Sequence, residues 1–234
     1  MPGSLSGAFA PQHVNQITRM DVLTGAIFSL SVGLGALTGL LRFRKINPEF
    51  LPFIYLMWAG FLNEAGSVAV IYSGHSNFLN NNILFLGEAL LICWQFYRWQ
   101  LFSTRRFYYF IQVFFVVIWA VELVFHAPKT VLSYFIISHS FIIVLMSIHM
   151  INKIVFRETT PFMRDPVFLI CLGFIVYFTY SVLVETFWIF GLTHSKHFRL
   201  RVYALLSYIN LVVNLVFVIA ILWIPMRQRY ILRS

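Results

Sequence analysis

Seven apolar runs dominate the chain and leave few folds open to it. They cover Val22–Leu41, Leu51–Tyr72, Asn82–Phe102, Phe107–Phe125, Val131–Ile151, Val167–Phe190 and Val202–Ile224. Each run holds roughly 20 residues, the length on which an α-helix crosses about 30 Å of hydrocarbon. The connections are short, so no soluble domain fits between them. Inside a bilayer every run must be helical, because no water is there to satisfy an open backbone. The expected fold is therefore all-α and membrane-integral, a bundle of seven transmembrane helices. Composition supports this: 60% of the 234 residues are hydrophobic and 11% charged, against about 25% charged in an ordinary soluble domain. A soluble enzyme, a disordered chain and a nucleic-acid-binding module are excluded.

The basic residues predict a direction. Twelve of the 17 Lys and Arg fall on one side of the expected spans, among them Arg42, Arg44, Lys45, Arg98, Arg105, Arg106, Lys153 and Arg164. The other side holds Arg19, Lys129, Lys196, Arg199 and Arg201. The richer side is expected to be cytoplasmic, which places the N-terminus outside and the C-terminus inside. Read this way, the net charge of +9 belongs to loops and does not point to nucleic acid. Residues 1–20 read as an extracytoplasmic tail without the features of a signal peptide. Residues 21–225 form the seven-helix domain, and residues 226–234 a basic cytoplasmic tail that suits lipid headgroups. The expected location is a plasma or bacterial inner membrane. Tyr and Trp near both ends of the spans fit an interfacial belt. Pro48, Pro52, Pro161, Pro166 and Pro225 mark helix ends.

Residues Val22–Ser31 and Val131–Ser140 match at five of ten positions, which suggests a weak parallel repeat of three-plus-one-plus-three helices. Cys93 and Cys171 both lie in apolar runs and imply neither a disulfide nor a thiol metal site. The last span lacks the Lys that a rhodopsin-type Schiff base requires. No HxxxH pair of the ceramidase type is present, and the Pro-Gln loop motif of sugar porters is absent. No P-loop, GxSxG, HExxH or kinase motif occurs.

Polar groups inside the runs carry what functional signal there is. Glu64 follows Asn63 in the second run, and Glu88 precedes Gln95 by seven residues in the third. Glu122 lies in the fourth and His139 in the fifth. Tyr177, Ser181 and Glu185 share one helical stripe, as do Tyr203, Ser207, Asn210 and Asn214. Such stripes belong against protein or water, not lipid. Glu88, Glu122 and Glu185 fall about 3–6 residues from the outer ends of their runs, and Glu64, His139 and Asn210 about 8 in, on a helix rising 1.5 Å per residue. Four acids on four helices, all in the outer half, predict one outward-open polar cavity. Its expected lining is Asn63, Glu64, Glu88, Glu122, His139, Ser181, Glu185, Tyr203, Ser207 and Asn210. His194 and His197, three apart, are weak candidates for a metal ion.

Three functions follow from such a cavity. Transport of a small solute, proton or cation is favoured, because intramembrane acids commonly mark such pathways. A receptor-like sensor is the alternative, and it requires a separate cytoplasmic signalling protein. A metal-dependent intramembrane hydrolase ranks last, since it needs three converging ligands and a base. No cofactor is implied, and the expected partners are lipid and the small solute or ion. Small residues in the first run, including Ser31, Gly33, Gly35 and Gly39, suit close helix packing within one chain or between copies.

Overall fold

The computed structural model describes residues 30–72, 78–126, 130–156, 164–190 and 196–226. The two tails, the first eight residues of the expected first span, and with them one arm of the suggested repeat, lie outside the described residues. So do His13, His75, Pro161 and His194, and the side chains of His126, His197 and Tyr203. Of the described residues, 87% are helical and none forms a strand.

The α-helices are α1 (Val32–Arg42), α2 (Leu51–Tyr72), α3 (Phe78–Arg98), α4 (Arg105–His126), α5 (Ser133–Val155), α6 (Pro166–Ile189) and α7 (Lys196–Trp223). A single 3₁₀ turn, Pro48–Phe50, leads into α2. Segments of α4, α5, α6 and α7 are long and apolar enough to cross a membrane, which makes this a helical, multi-pass membrane protein. Large apolar side chains such as Leu41, Leu62, Phe110, Val124 and Phe141 point outward. A water-soluble monomer rarely tolerates that much exposed apolar surface.

Local chemistry sets the helix ends. Asn47 accepts from the Glu49 amide at 3.1 Å to start the 3₁₀ turn, with Pro48 in its first position. Asp165 caps α6, accepting from Val167 N at 2.7 Å, and Pro166 takes the first helical place. Pro at that place sacrifices no helical hydrogen bond. Past the end of α3, Gln100 adopts φ 55° and Leu101 N returns to Phe96 O at 3.1 Å. That left-handed reversal satisfies carbonyls the helix would otherwise leave open.

Consecutive helices run in opposite directions. At one end, here the basic end, Gln95 of α3 meets the start of α2, and the Arg42 guanidinium of α1 donates to the α7 carbonyls of Ile221 (2.7 Å) and Leu222. A third bond runs to Ile224 O at 3.3 Å. At the far end, Glu185 of α6 meets Ser133 at the start of α5. Each helix packs on its neighbours in sequence, α4 more lightly than the others. α1 closes on α7 and α3 on α5, so six helices form a ring and α4 rests outside against α3 and α5.

Glycines set how closely the ring packs. A Cβ at Gly33 would come within 2.9 Å of the Phe61 ring, one at Gly35 within 3.2 Å of Met57 Sδ, and one at Gly39 within 3.1 Å of Ile54. The small stripe of the first run is thus spent inside the chain, against α2. Gly173 of α6 lies still closer to the Phe217 ring of α7.

Four of the expected spans, the fourth to the seventh, are borne out as long apolar helices, and helix ends shift from those expected. The third begins at Phe78, four residues before the expected Asn82, because Asn80, Asn81 and Asn82 all lie inside α3. Hydropathy marks three successive Asn as a loop. Here their carboxamides bond across to other elements, so the helix continues through them. Glu88 is consequently the eleventh residue of α3, about 15 Å along its axis at 1.5 Å per residue.

Candidate functional site

A cavity of ≈ 220 Å³ lies within the ring. α1, α2, α3, α6 and α7 all contribute to its wall. Its polar lining is Asn63 and Glu64 from α2, Asn81 and Glu88 from α3, Tyr177 from α6, and Asn210 and Asn214 from α7. Apolar lining comes from Leu56, Met57, Phe85, Phe174, Phe178 and Phe217, among others. Among the described residues, no Lys, Arg or His lines this wall.

The carboxamides are tied to one another. Asn80 Nδ2 donates to Asn63 Oδ1 at 2.7 Å, and Asn63 Nδ2 donates to Asn81 Oδ1 at 3.3 Å. Ser67 Oγ donates to the same Asn81 oxygen at 3.5 Å. Across the ring, Asn214 Nδ2 donates to Ser31 Oγ of α1 at 2.8 Å and to Asn210 Oδ1 at 3.3 Å. These bonds engage the amide oxygens of Asn63, Asn81 and Asn210 with neighbouring side chains. Among the described residues none donates a hydrogen bond to Glu88, which stands half-buried in the wall. Tyr177 is hydrogen-bonded to Ser181, one turn further along α6.

The polar wall stops at an aromatic cluster on the side of the basic end. Phe53, Phe96, Phe174 and Phe217 are almost wholly buried. Their rings meet edge-on or tilted, with centroids 5.2 Å apart for Phe53 and Phe217 and 5.5 Å for Phe174 and Phe217. Such packing fills space with complementary ring faces and edges. Below it, Gln95 is fully engaged: its Oε1 accepts from Phe53 N at 2.8 Å and its Nε2 donates to Glu49 O at 2.7 Å. It caps the first turn of α2, where helix amides lack intrahelical partners. His149 is exposed on the outer surface of α5.

The remaining acids of the expected ring lie elsewhere. Glu122, only 7% exposed, accepts from Tyr134 N at 3.1 Å and Phe135 N at 2.6 Å. It therefore caps the start of α5 from α4. A carboxylate there also meets the positive end of the helix dipole. Glu185 accepts from Ser133 Oγ at 2.6 Å at the same helix start. Buried Asn82 completes the junction, donating to Thr130 O at 2.9 Å and accepting from Leu132 N at 3.4 Å. Trp119 Nε1 adds a bond to Asn82 O at 2.8 Å. Four helices converge on this junction, and every polar group named here has a protein partner.

His139 sits between the two regions. Its ring stacks on Phe135 at 4.8 Å and meets Phe115 and Phe178 edge-on. Nδ1 lies 3.0 Å from Phe135 O, while Nε2 is buried without a partner among the described residues. Phe178, which lines the cavity, therefore separates His139 from it.

Of the expected lining, then, Asn63, Glu64, Glu88 and Asn210 share one cavity and Ser181 joins through Tyr177. Glu122, Glu185 and His139 do not reach it, and Ser207 is not part of its wall. Tyr203 and His197 are placed only as backbone, and His194 lies outside the described residues. Asn81, Tyr177 and Asn214 complete the wall. Tyr177 and Asn214 could have been found from the helical stripes that contain Ser181 and Asn210. Asn81 gives no such signal, because it lies where hydropathy marks a loop. Among the described residues no three His, Cys, Asp or Glu side chains converge where a metal ion could be held. No family model, curated protein or solved structure matches the chain.

Proposed function

We propose that this protein is a seven-span membrane protein that binds a small cation, or a proton together with a small solute, in the cavity between α2, α3, α6 and α7, and carries it across the bilayer. One observation carries the reading: two carboxylates, Glu64 and Glu88, line a common cavity in a mostly apolar bundle, with no basic side chain among the described residues of its wall. Buried acids are costly in a membrane, and they persist where they serve an ion path or a bound charge. Glu64 and Glu88 would hold the charge, with Asn63, Asn210 and Tyr177 shaping the site around it.

The N-terminus is assigned to the outside and the C-terminus to the cytoplasm. The gathering of Arg42, Arg98, Arg105, Arg106, Lys153 and Arg164 at helix ends of one side supports that direction. The sequential packing of α1–α2–α3 and of α5–α6–α7, with α4 set apart, is compatible with the three-plus-one-plus-three repeat.

The test is a thermal-stability scan of the purified protein in detergent, across pH and a panel of mono- and divalent cations. It is repeated on Glu64→Gln and Glu88→Gln. The expected result is a cation- or pH-dependent rise in Tm that both substitutions abolish. A Tm unchanged across all conditions would remove the chemical basis of this reading.

A second reading, sensing through a cytoplasmic partner, is favoured by the aromatic cluster that ends the polar wall towards the basic end. Cation flux in proteoliposomes separates the two: transport requires flux that Glu88→Gln eliminates, and sensing requires binding without flux.

A further inference from the structure

Resting on the reading of the cavity as a cation site, we infer that its ligand is a small organic ammonium ion carrying alkyl groups, rather than an inorganic metal ion. Three features of the wall point there.

The first is the supply of oxygens. A metal such as Ca²⁺ takes 6–8 oxygen ligands. Here the Oδ1 atoms of Asn63, Asn81 and Asn210 each already accept from a neighbouring side chain. No cluster of three or more ligating His, Cys, Asp or Glu side chains occurs among the described residues. The wall offers negative charge while three of its four carboxamide oxygens already accept a hydrogen bond, a combination suited to an ion that needs its charge balanced and has few N–H groups to satisfy.

The second is the aromatic part of the wall. Phe85, Phe174, Phe178 and Tyr177 line the same space as Glu64 and Glu88. Aromatic faces attract cations, and aromatic cages are the established means of recognising quaternary ammonium groups. A hydrated inorganic ion gains little from such a surface, whereas methyl and methylene groups on or beside nitrogen are well solvated by it.

The third is size. A cavity of ≈ 220 Å³ is small beside the ≈ 300–1,000 Å³ pockets of larger ligands, which suits a compact organic ion.

The experiment is isothermal titration of the full chain in detergent with choline, tetramethylammonium, Na⁺, K⁺ and Ca²⁺. The neutral carbon isostere of choline, 3,3-dimethyl-1-butanol, is titrated alongside. The expected result is saturable binding of choline and tetramethylammonium, with the isostere at least about tenfold weaker. Glu88→Gln should weaken choline binding about thirtyfold or more, the lower range for removing a buried partner of a bound charge. Phe85→Leu should weaken it about fivefold, the scale of one cation–π contact, and leave Tm without ligand within a few degrees of the parent.

Glu88-dependent binding of Na⁺, K⁺ or Ca²⁺ with no response to either ammonium ion would overturn this inference and leave the cation site standing. Equal binding of the neutral isostere would overturn it by showing recognition of shape alone. No binding of any cation would overturn both the inference and the cation site.

Discussion

Glu122 and Glu88 are the same residue type on adjacent helices, and the fold uses them oppositely. At the start of α5, Glu122 receives two backbone amides, and Glu185 beside it receives a serine hydroxyl. In the cavity, the Nδ2 groups of Asn63, Asn80 and Asn214 donate to other amides and to Ser31. The first is a structural joint: remove the acid and buried donors are orphaned. The second is a charge that the surrounding protein leaves without a hydrogen bond among the described residues. Glu88 stands mid-helix and Glu122 within the last turns of α4, and the supply of donors around each differs with that position.

Matched substitutions give the largest expected contrast. Glu122→Gln replaces one acceptor oxygen with an amide group facing a backbone N–H. It should lower unfolding stability by about 3 kcal/mol, the upper range for a charge-assisted bond lost with its partner left buried. Glu88→Gln, measured by the same unfolding in detergent without ligand, should cost under about 1 kcal/mol. Equal losses at both sites would erase the distinction between joint and site.

The floor beneath the cavity gives the next effect. Gln95→Leu keeps the volume but removes both bonds to the start of α2. Its expected cost is about 2 kcal/mol, because the Phe53 amide then lies buried and unpaired. A loss near zero would mean that α2 does not need this cap.

The smallest effects come from two glycines. Gly173→Ala drives a Cβ into the Phe217 ring, and should cost about 1–2 kcal/mol by overpacking. Gly66→Ala meets nothing within 4 Å and should be neutral or stabilise by up to about 1 kcal/mol. Thermal unfolding of the pair reports whether close approach of α6 and α7, rather than glycine as such, holds the cavity floor together.

The helices were legible in the sequence because apolar length is a local property. The start of α3 was not, because the partners that keep Asn80, Asn81 and Asn82 helical lie on other elements. The pairing of Glu64 with Glu88 in one wall agrees with their depth in adjacent runs. The diversion of Glu122 and Glu185 to the α5 start depends on which backbone amides a folded loop presents, and side-chain spacing carries no trace of that. His139 illustrates the same limit. Its position suggests a cavity, yet three aromatic rings enclose it, and their convergence is a property of helix rotation.

The Arg42 clasp has a mechanical consequence. By holding the terminal carbonyls of α7, the guanidinium joins the first and last described helices at the basic end. These two helices then behave there as one lever. Among the described residues, α3 also closes on α5, two helices distant in sequence. Across that seam lies α4, joined to α5 through Glu122 and to α3 through Trp119. The peripheral helix thus ties α3 to α5 at the far end of the ring, opposite the clasp.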